Sequence, residues 1–197
     1  MYIPLDPYLA RDPLRVTRNR SLTRVTAPAI EPITLDEAKL YLRIDNTDND
    51  TLVNDLIVAA RMIAESWLKV SLISQAWKLA YDYGIPNSVW LPMGPVNAIT
   101  SVVVINRDGS TQAADSGSYY LNAAQNALVL DSVQIGFQIQ ITYAAGYGDD
   151  ATTIPKPIKQ GMLAHIAALY DSRGEAGEMD LPQQTVALYT PFREVRL

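Results

Sequence analysis

Over residues 49–70 the chain places apolar side chains at Leu52, Leu56, Ile57, Ala60, Ile63, Ala64, Trp67 and Leu68. Steps of three and four residues bring all of them onto one stripe of an α-helix. The stripe is wider than a coiled-coil seam, so more than one neighbouring element has to cover it. Asp48, Asn49 and Asp50 stand at its start. There a side-chain oxygen can accept from a free backbone N–H, and negative charge suits the helix dipole. Asn54, Asp55, Arg61, Glu65 and Lys69 fall on the other face, which reads as polar and solvated. Arg61, Glu65 and Lys69 have the spacing of weak i,i+4 pairs.

The partners of that stripe lie on both sides of it in the chain. Residues 33–44 (ITLDEAKLYLRI) open with Thr34 and, three residues on, Glu37, the pattern of a capping box. Leu35, Ala38 and Leu42, extended by Leu40 and Tyr41, give this second helix an apolar face, and residues 43–50 form a polar break, so the two make a helical hairpin. Far downstream, Pro155 and Pro157 introduce a third helix to about residue 171, with Ile158, Met162, Leu163, Ile166, Ala167 and Tyr170 on one face. Gly161 inside it costs about 1 kcal/mol relative to alanine, which points to close packing there. Residues 173–180 are polar, and residues 181–188 add a short terminal helix.

Between the helices the period changes from 3.6 to 2. Residues 75–83 (QAWKLAYDY) alternate, with Trp77, Leu79, Tyr81 and Tyr83 on one side. Residues 89–91, 99–106, 119–121, 127–130 and 138–143 are further strand candidates, and Arg107-Asp108-Gly109-Ser110 is a hairpin turn. About six short strands make a small antiparallel sheet or sandwich. Gly146-Tyr147-Gly148 reads as a strand-to-helix turn with unusual φ angles. The fold expected is therefore α+β: a helical bundle with an inserted small antiparallel β domain. Its segments are an N-terminal arm (1–32), the hairpin (33–74), the β insert (75–146), the helix that completes the bundle (147–174) and a tail (175–197).

Charge separates the arm from the rest. Residues 1–30 hold Arg11, Arg15, Arg18, Arg20 and Arg24 against Asp6 and Asp12, with five prolines among residues 1–32. Taking those charges from the totals of 16 basic and 21 acidic residues leaves 11 basic and 19 acidic. Such an acidic body argues against a general nucleic-acid-binding surface. Little helical period and many prolines read as an extended arm. It is either a free tail or a segment that orders on a neighbouring subunit or a polyanion. There is no cysteine, which excludes disulfides, thiolate nucleophiles and thiolate metal sites. No apolar run has membrane-spanning length, and the start lacks the apolar core of a signal peptide, so the expectation is a soluble intracellular protein without a membrane partner.

Catalytic chemistry finds little support. His165 is the only histidine and falls on a largely apolar helix, where a structural histidine is the simpler reading than a general base. Residues 45–50 (DNTDND) fail as a calcium loop: glycine at the sixth position and glutamate at the twelfth are replaced by Asp50 and Leu56. Gly146-Tyr147-Gly148 lacks the third glycine of a dinucleotide fingerprint. Asp149 and Asp150 are adjacent with no further clustered carboxylates. The expectation is no catalytic residue, no metal and no cofactor.

Several stretches together resemble the head–tail connector (adaptor, or head-completion) proteins of long-tailed phages and of gene transfer agents. They are ITLDEAKLYLRI at 33–44, the following long helix with Ala59, Ala60 and Trp67, and ITYAAGYGDDATTIPKPIKQGMLAHIAALYDSRG at 141–174 with Tyr170 and Arg173 near its end. An ending like L-x-x-Y/F-R, here residues 188–193, extends the likeness over roughly residues 33–193. The arm is longer than the family's pattern leads one to expect.

The resemblance implies a structural protein forming a dodecameric ring between portal and stopper or tail-completion protein. Such a ring would line the channel for passing double-stranded DNA, assemble in the cytoplasm and end at the head–tail junction. In related connectors the C-terminal segment reaches toward the portal. That maps onto Val186, Leu188, Tyr189, Phe192 and Arg193, which either anchor in a portal groove or fold back on their own domain. The competing classes are a nucleic-acid-binding packaging factor acting through the arginine arm and a hydrolase using His165 with Asp149 or Asp150.

Overall fold

The computed structural model describes residues 20–172 and 181–194. Its elements are β1 (Arg20–Thr26), α1 (Leu35–Leu42), α2 (Asp50–Leu68), β2 (Gln75–Asp82), β3 (Ser88–Trp90) and β4 (Val96–Ile105). They continue with β5 (Thr111–Ala113), β6 (Tyr119–Asn122), β7 (Ala127–Leu130), β8 (Gln138–Ala145), α3 (Lys156–Asp171) and α4 (Gln183–Tyr189). The class is α+β. Five strands pair in the order β1-β2-β8-β4-β5 and three in the order β3-β7-β6, antiparallel at each step.

The start of α1 is built as its residues dictate. Glu37 N donates to Thr34 Oγ1 at 3.1 Å and Thr34 N donates to Glu37 Oε2 at 2.9 Å, so two otherwise unpaired donors are satisfied. The start of α2 differs from expectation. Asn49 makes no side-chain cap, because its backbone (φ −107, ψ 9) is outside the extended region that aims a cap side chain at the first turn. Asp50 instead accepts from Lys39 Nζ at 2.6 Å, tying the two helices together.

Val53, Ile57, Ala60, Ala64 and Leu68 of α2 are buried against Ile158, Met162 and Ile166 of α3, with Ala38, Leu72, Ile73 and Tyr189 completing the cluster. At roughly 1.5–3 kcal/mol per fully buried large apolar side chain, this contact dominates the stability of the helical part. The stripe is rotated from the one read in the sequence: Val53 joins it, while Leu52, Leu56, Ile63 and Trp67 are only half-buried; on α1, Leu40 and Tyr41 fall outside the expected apolar face and are exposed.

Arg61 and Glu65 correct the sequence reading. Expected on a solvated face, they are 5% and 3% exposed. Burial of charge is tolerated because each has partners. Arg61 Nε donates to Glu31 Oε2 at 2.7 Å and Arg61 Nη1 to Glu65 Oε2 at 3.2 Å. Glu65 Oε1 accepts from Leu72 N at 3.0 Å and from Gln75 Nε2 at 2.7 Å. This network fixes the chain where it leaves α2 and enters β2.

The second core lies between the two sheets. β8 is central, and Ile139, Ile141, Tyr143 and Ala145 alternate inward along it. Leu79, Val102 and Val104 join them, with Val89, Leu128 and Leu130 from the smaller sheet and Leu91 just past β3. All six sequence-read strands are present; β1 and β5 were not foreseen. Tyr83 departs from the expected inward row of β2: it sits past the strand end with φ 65, exposed, its ring edge-on to Phe137. After β8, Gly146 takes φ 147, and a Cβ there would lie 2.6 Å from Ser74 N, so this turn against the start of β2 requires glycine.

Candidate interface: the tail, its groove and the strand edges

The tail lies on the helical core. Tyr189 of α4 is fully buried and packs on Gly161, whose missing side chain makes the space. Thr185 Oγ1 donates to Gly161 O at 3.1 Å, and the Trp67 ring meets Tyr189 with centroids 5.9 Å apart. Beyond α4, the Arg193 guanidinium stands 4.7 Å from the Trp67 ring centroid, a cation–π contact. Glu194 then bridges both cores. Its N donates to Leu68 O at 2.9 Å, and its Oε1 accepts from Trp90 Nε1 at 3.3 Å and Asn126 Nδ2 at 3.1 Å. Burial, and secondly the Glu194 charge, raise the Tyr147 phenol above its ordinary range.

Between α2 and this tail runs an open groove of about 740 Å³, lined by Met62, Ile63, Ser66, Trp67, Lys69, Leu181, Val186 and Arg193. Its lining combines apolar side chains with the cations Lys69 and Arg193. The five expected tail residues therefore divide. Val186 and Arg193 edge the groove, Leu188 and Phe192 are half-buried, and Tyr189 is wholly inside.

The arm divides as well. Arg11, Arg15 and Arg18 lie outside the described residues. Arg20 and Arg24 are in β1, which among the described residues pairs with β2 alone and is exposed along its whole length. Neither makes a salt bridge among the described residues.

The candidate catalytic groups are not brought together. His165 is buried within α3, and that burial lowers its pKa below the ordinary histidine value. Its Nδ1 has no hydrogen-bond partner among the described residues. Asp150 accepts from Thr152 N at 2.7 Å, which holds its carboxyl below the usual range and spends it on a turn cap. Among the described residues, no group of three or more acidic or histidine side chains is placed to hold a metal ion, and no helix is long and apolar enough to cross a membrane.

Sequence reasoning missed Glu194, Asn126 and, although it read the Arg61–Glu65 spacing, the burial of that pair and its partners Glu31, Leu72 and Gln75. Asn126 had one legible signal, an asparagine between two strand candidates, where the left-handed backbone it adopts (φ 47) is easiest for glycine and asparagine. The others carry no local signal, because their partners are distant in the chain.

Comparison with known proteins places this geometry. A family model described as phage gp6-like head–tail connector protein matches residues 32–134. No curated protein matches. Among solved structures, a chain in the neck of an empty GTA particle with C6 symmetry superposes with a TM-score of 0.75 at 22% identity, covering 90% of this chain and 97% of that one. A chain from the virion of a native gene transfer agent particle gives 0.72 at 21% identity, covering 89% and 96%. A chain in the neck of a native GTA particle with C12 symmetry gives 0.72 at 22% identity, covering 90% and 97%. At these identities the likeness is one of fold.

Proposed function

The chain belongs to the phage gp6-like head–tail connector family, and on that premise we propose that it forms a closed ring between the portal and the stopper or tail of a phage-like particle. The role is structural, not enzymatic. The observation that carries the proposal is the family match over residues 32–134, which spans α1, α2 and strands β2 to β7. The shared fold of the GTA neck chains supports it.

In this reading the four helices are the rigid frame and the strands between β2 and β8 are an insert standing on it. A cyclic ring needs two different surfaces of each copy to meet, and twelve copies are the stoichiometry we propose. The acidic body left after residues 1–30 are set aside, with 11 basic and 19 acidic residues, suits a channel wall along which DNA slides without sticking. The tail is the portal-facing part. Val186, Leu188, Phe192 and Arg193 present the accessible chemistry, while Tyr189 pins the segment down from inside. Assembly takes place in the cytoplasm, and the ring then remains at the head–tail junction.

The arginine-arm alternative, a packaging factor that binds nucleic acid, is less favoured by membership in a connector family. Two measurements separate the readings. Co-purification with the portal that survives 0.5 M salt, at about which charge contacts are screened beyond roughly 4–5 Å, supports the connector. DNA binding that falls steeply with salt and vanishes on removal of residues 1–30, with no portal association, would replace it with the alternative.

A further inference from the structure

Among the described residues, the five-stranded sheet ends in two edges that pair with no further strand. On one side β1 is seven residues long, free of proline and exposed throughout, including Leu22 at 37% and Val25 at 53%. A strand like this presents a row of unpaired N–H and C=O groups ready to accept another strand. On the other side β5 covers only Val103 to Ile105 of β4, leaving Asn97, Ala98 and Thr100 exposed along the uncovered half.

The two edges differ in charge. Arg20 and Arg24 on β1 have no salt-bridge partner among the described residues. The β5 edge has Asp108 before it and Asp115 after it, with Asp131 held beside Ser118 by a backbone hydrogen bond and Arg107 the single opposing charge. Direction matters too. Four antiparallel steps separate β1 from β5, so both run the same way. A sheet continued into a second copy therefore sets β1 of that copy parallel to β5 of the first. This contact joins unlike edges, which is what a closing ring requires. Pairing β1 with β1 across a two-fold axis would instead set arginines against arginines.

We propose that this sheet runs on between neighbouring copies of the chain, the basic β1 edge of one docking on the acidic β4–β5 edge of the next. The inference rests on the ring reading above and adds to it the surface by which subunits meet.

The chain has no cysteine, so engineered pairs report without background. Neighbouring strands lie about 4.8 Å apart, within disulfide reach. Particles are assembled with Thr23→Cys plus Gln112→Cys, and separately with Val25→Cys plus Gln112→Cys, which brackets the register; all three positions are exposed and tolerate the change. Mild oxidation is expected to give a ladder of covalent oligomers from at least one double variant and none from the single variants. Necks that contain the protein but yield no ladder from either pair would overturn the edge contact while leaving the connector reading intact. Wild-type particles whose neck lacks the protein would overturn both.

Discussion

A Cβ built on Gly161 of α3 would lie 2.5 Å from Cε1 of Tyr189, closer than real Cβ contacts come. The glycine that weakens α3 as a helix is what lets the tail seat on it. Tyr189 also makes no hydrogen bond through its hydroxyl among the described residues, so shape alone holds it there.

Gly161→Ala is therefore expected to destabilise the protein despite a gain of about 1 kcal/mol in helix propensity. Overpacking against a ring that has no room to move costs roughly 1–3 kcal/mol. With Tyr189→Ala already present, the same substitution should turn stabilising by about 1 kcal/mol. Urea unfolding of the four proteins of this cycle measures the coupling, and additive effects would refute the contact.

Glu65→Ala should cost about 3–5 kcal/mol, because it removes one of the two carboxylates that pair with buried Arg61, leaves Leu72 N without its acceptor and leaves Gln75 Nε2 only a long bond to Ile73 O. Replacing Arg61 and Glu65 together by leucine and methionine should be much milder, since no unpaired charge remains buried. Equal losses for the single and double variants in denaturant titrations would show that the network is not the source.

Stability should fall as pH drops below about 6.5. His165 has its pKa lowered from 6.5 by burial, so the unfolded chain binds a proton more readily than the folded one. Its contribution is complete above 6.5 and is lost as pH falls from there through the folded value. His165→Gln should flatten thermal unfolding temperature against pH as pH falls below about 6.5, relative to the native chain. The loss of carboxylate contributions from Glu37, Asp108 and Asp150 begins lower, below their ordinary values of 4.5, 3.8 and 3.8.

Glu194→Ala should loosen the tail without unfolding the cores. It removes the acceptor shared by Trp90 and Asn126, which lies at the end of the chain segment rather than inside either core. Hydrogen exchange is expected to speed up in α4 while α2 and β8 keep their protection. Arg193→Ala, which removes the contact with Trp67, should act in the same direction by about 0.5–1 kcal/mol. Uniform acceleration across all helices would mean that the tail belongs to one cooperative unit with the core.

Much of this was legible in the residues themselves. The Thr34–Glu37 box, the three- and four-residue steps of α2, the alternation of β8 and the glycine turn at 146–148 are local patterns, and each formed where its pattern stands. Gly161 could be read as a place of close packing, because a glycine in a helix interior needs a reason. The resemblance of residues 33–44 and 141–174 to connector proteins led to the family that the model match shows.

Tertiary structure alone decided the rest. Arg61 and Glu65 look like surface charge because their helical phase is polar, and only Glu31 and Gln75, distant in the chain, make burying them tolerable. Strand β1 has no alternation worth reading, and its register comes entirely from β2. Whether Tyr189 points outward or seats on Gly161 depends on contact across 28 positions, well beyond the one or two turns over which sequence period speaks. Local preference sets which segments coil and which extend; which of their faces close on one another is decided by shape and charge between residues the chain keeps far apart.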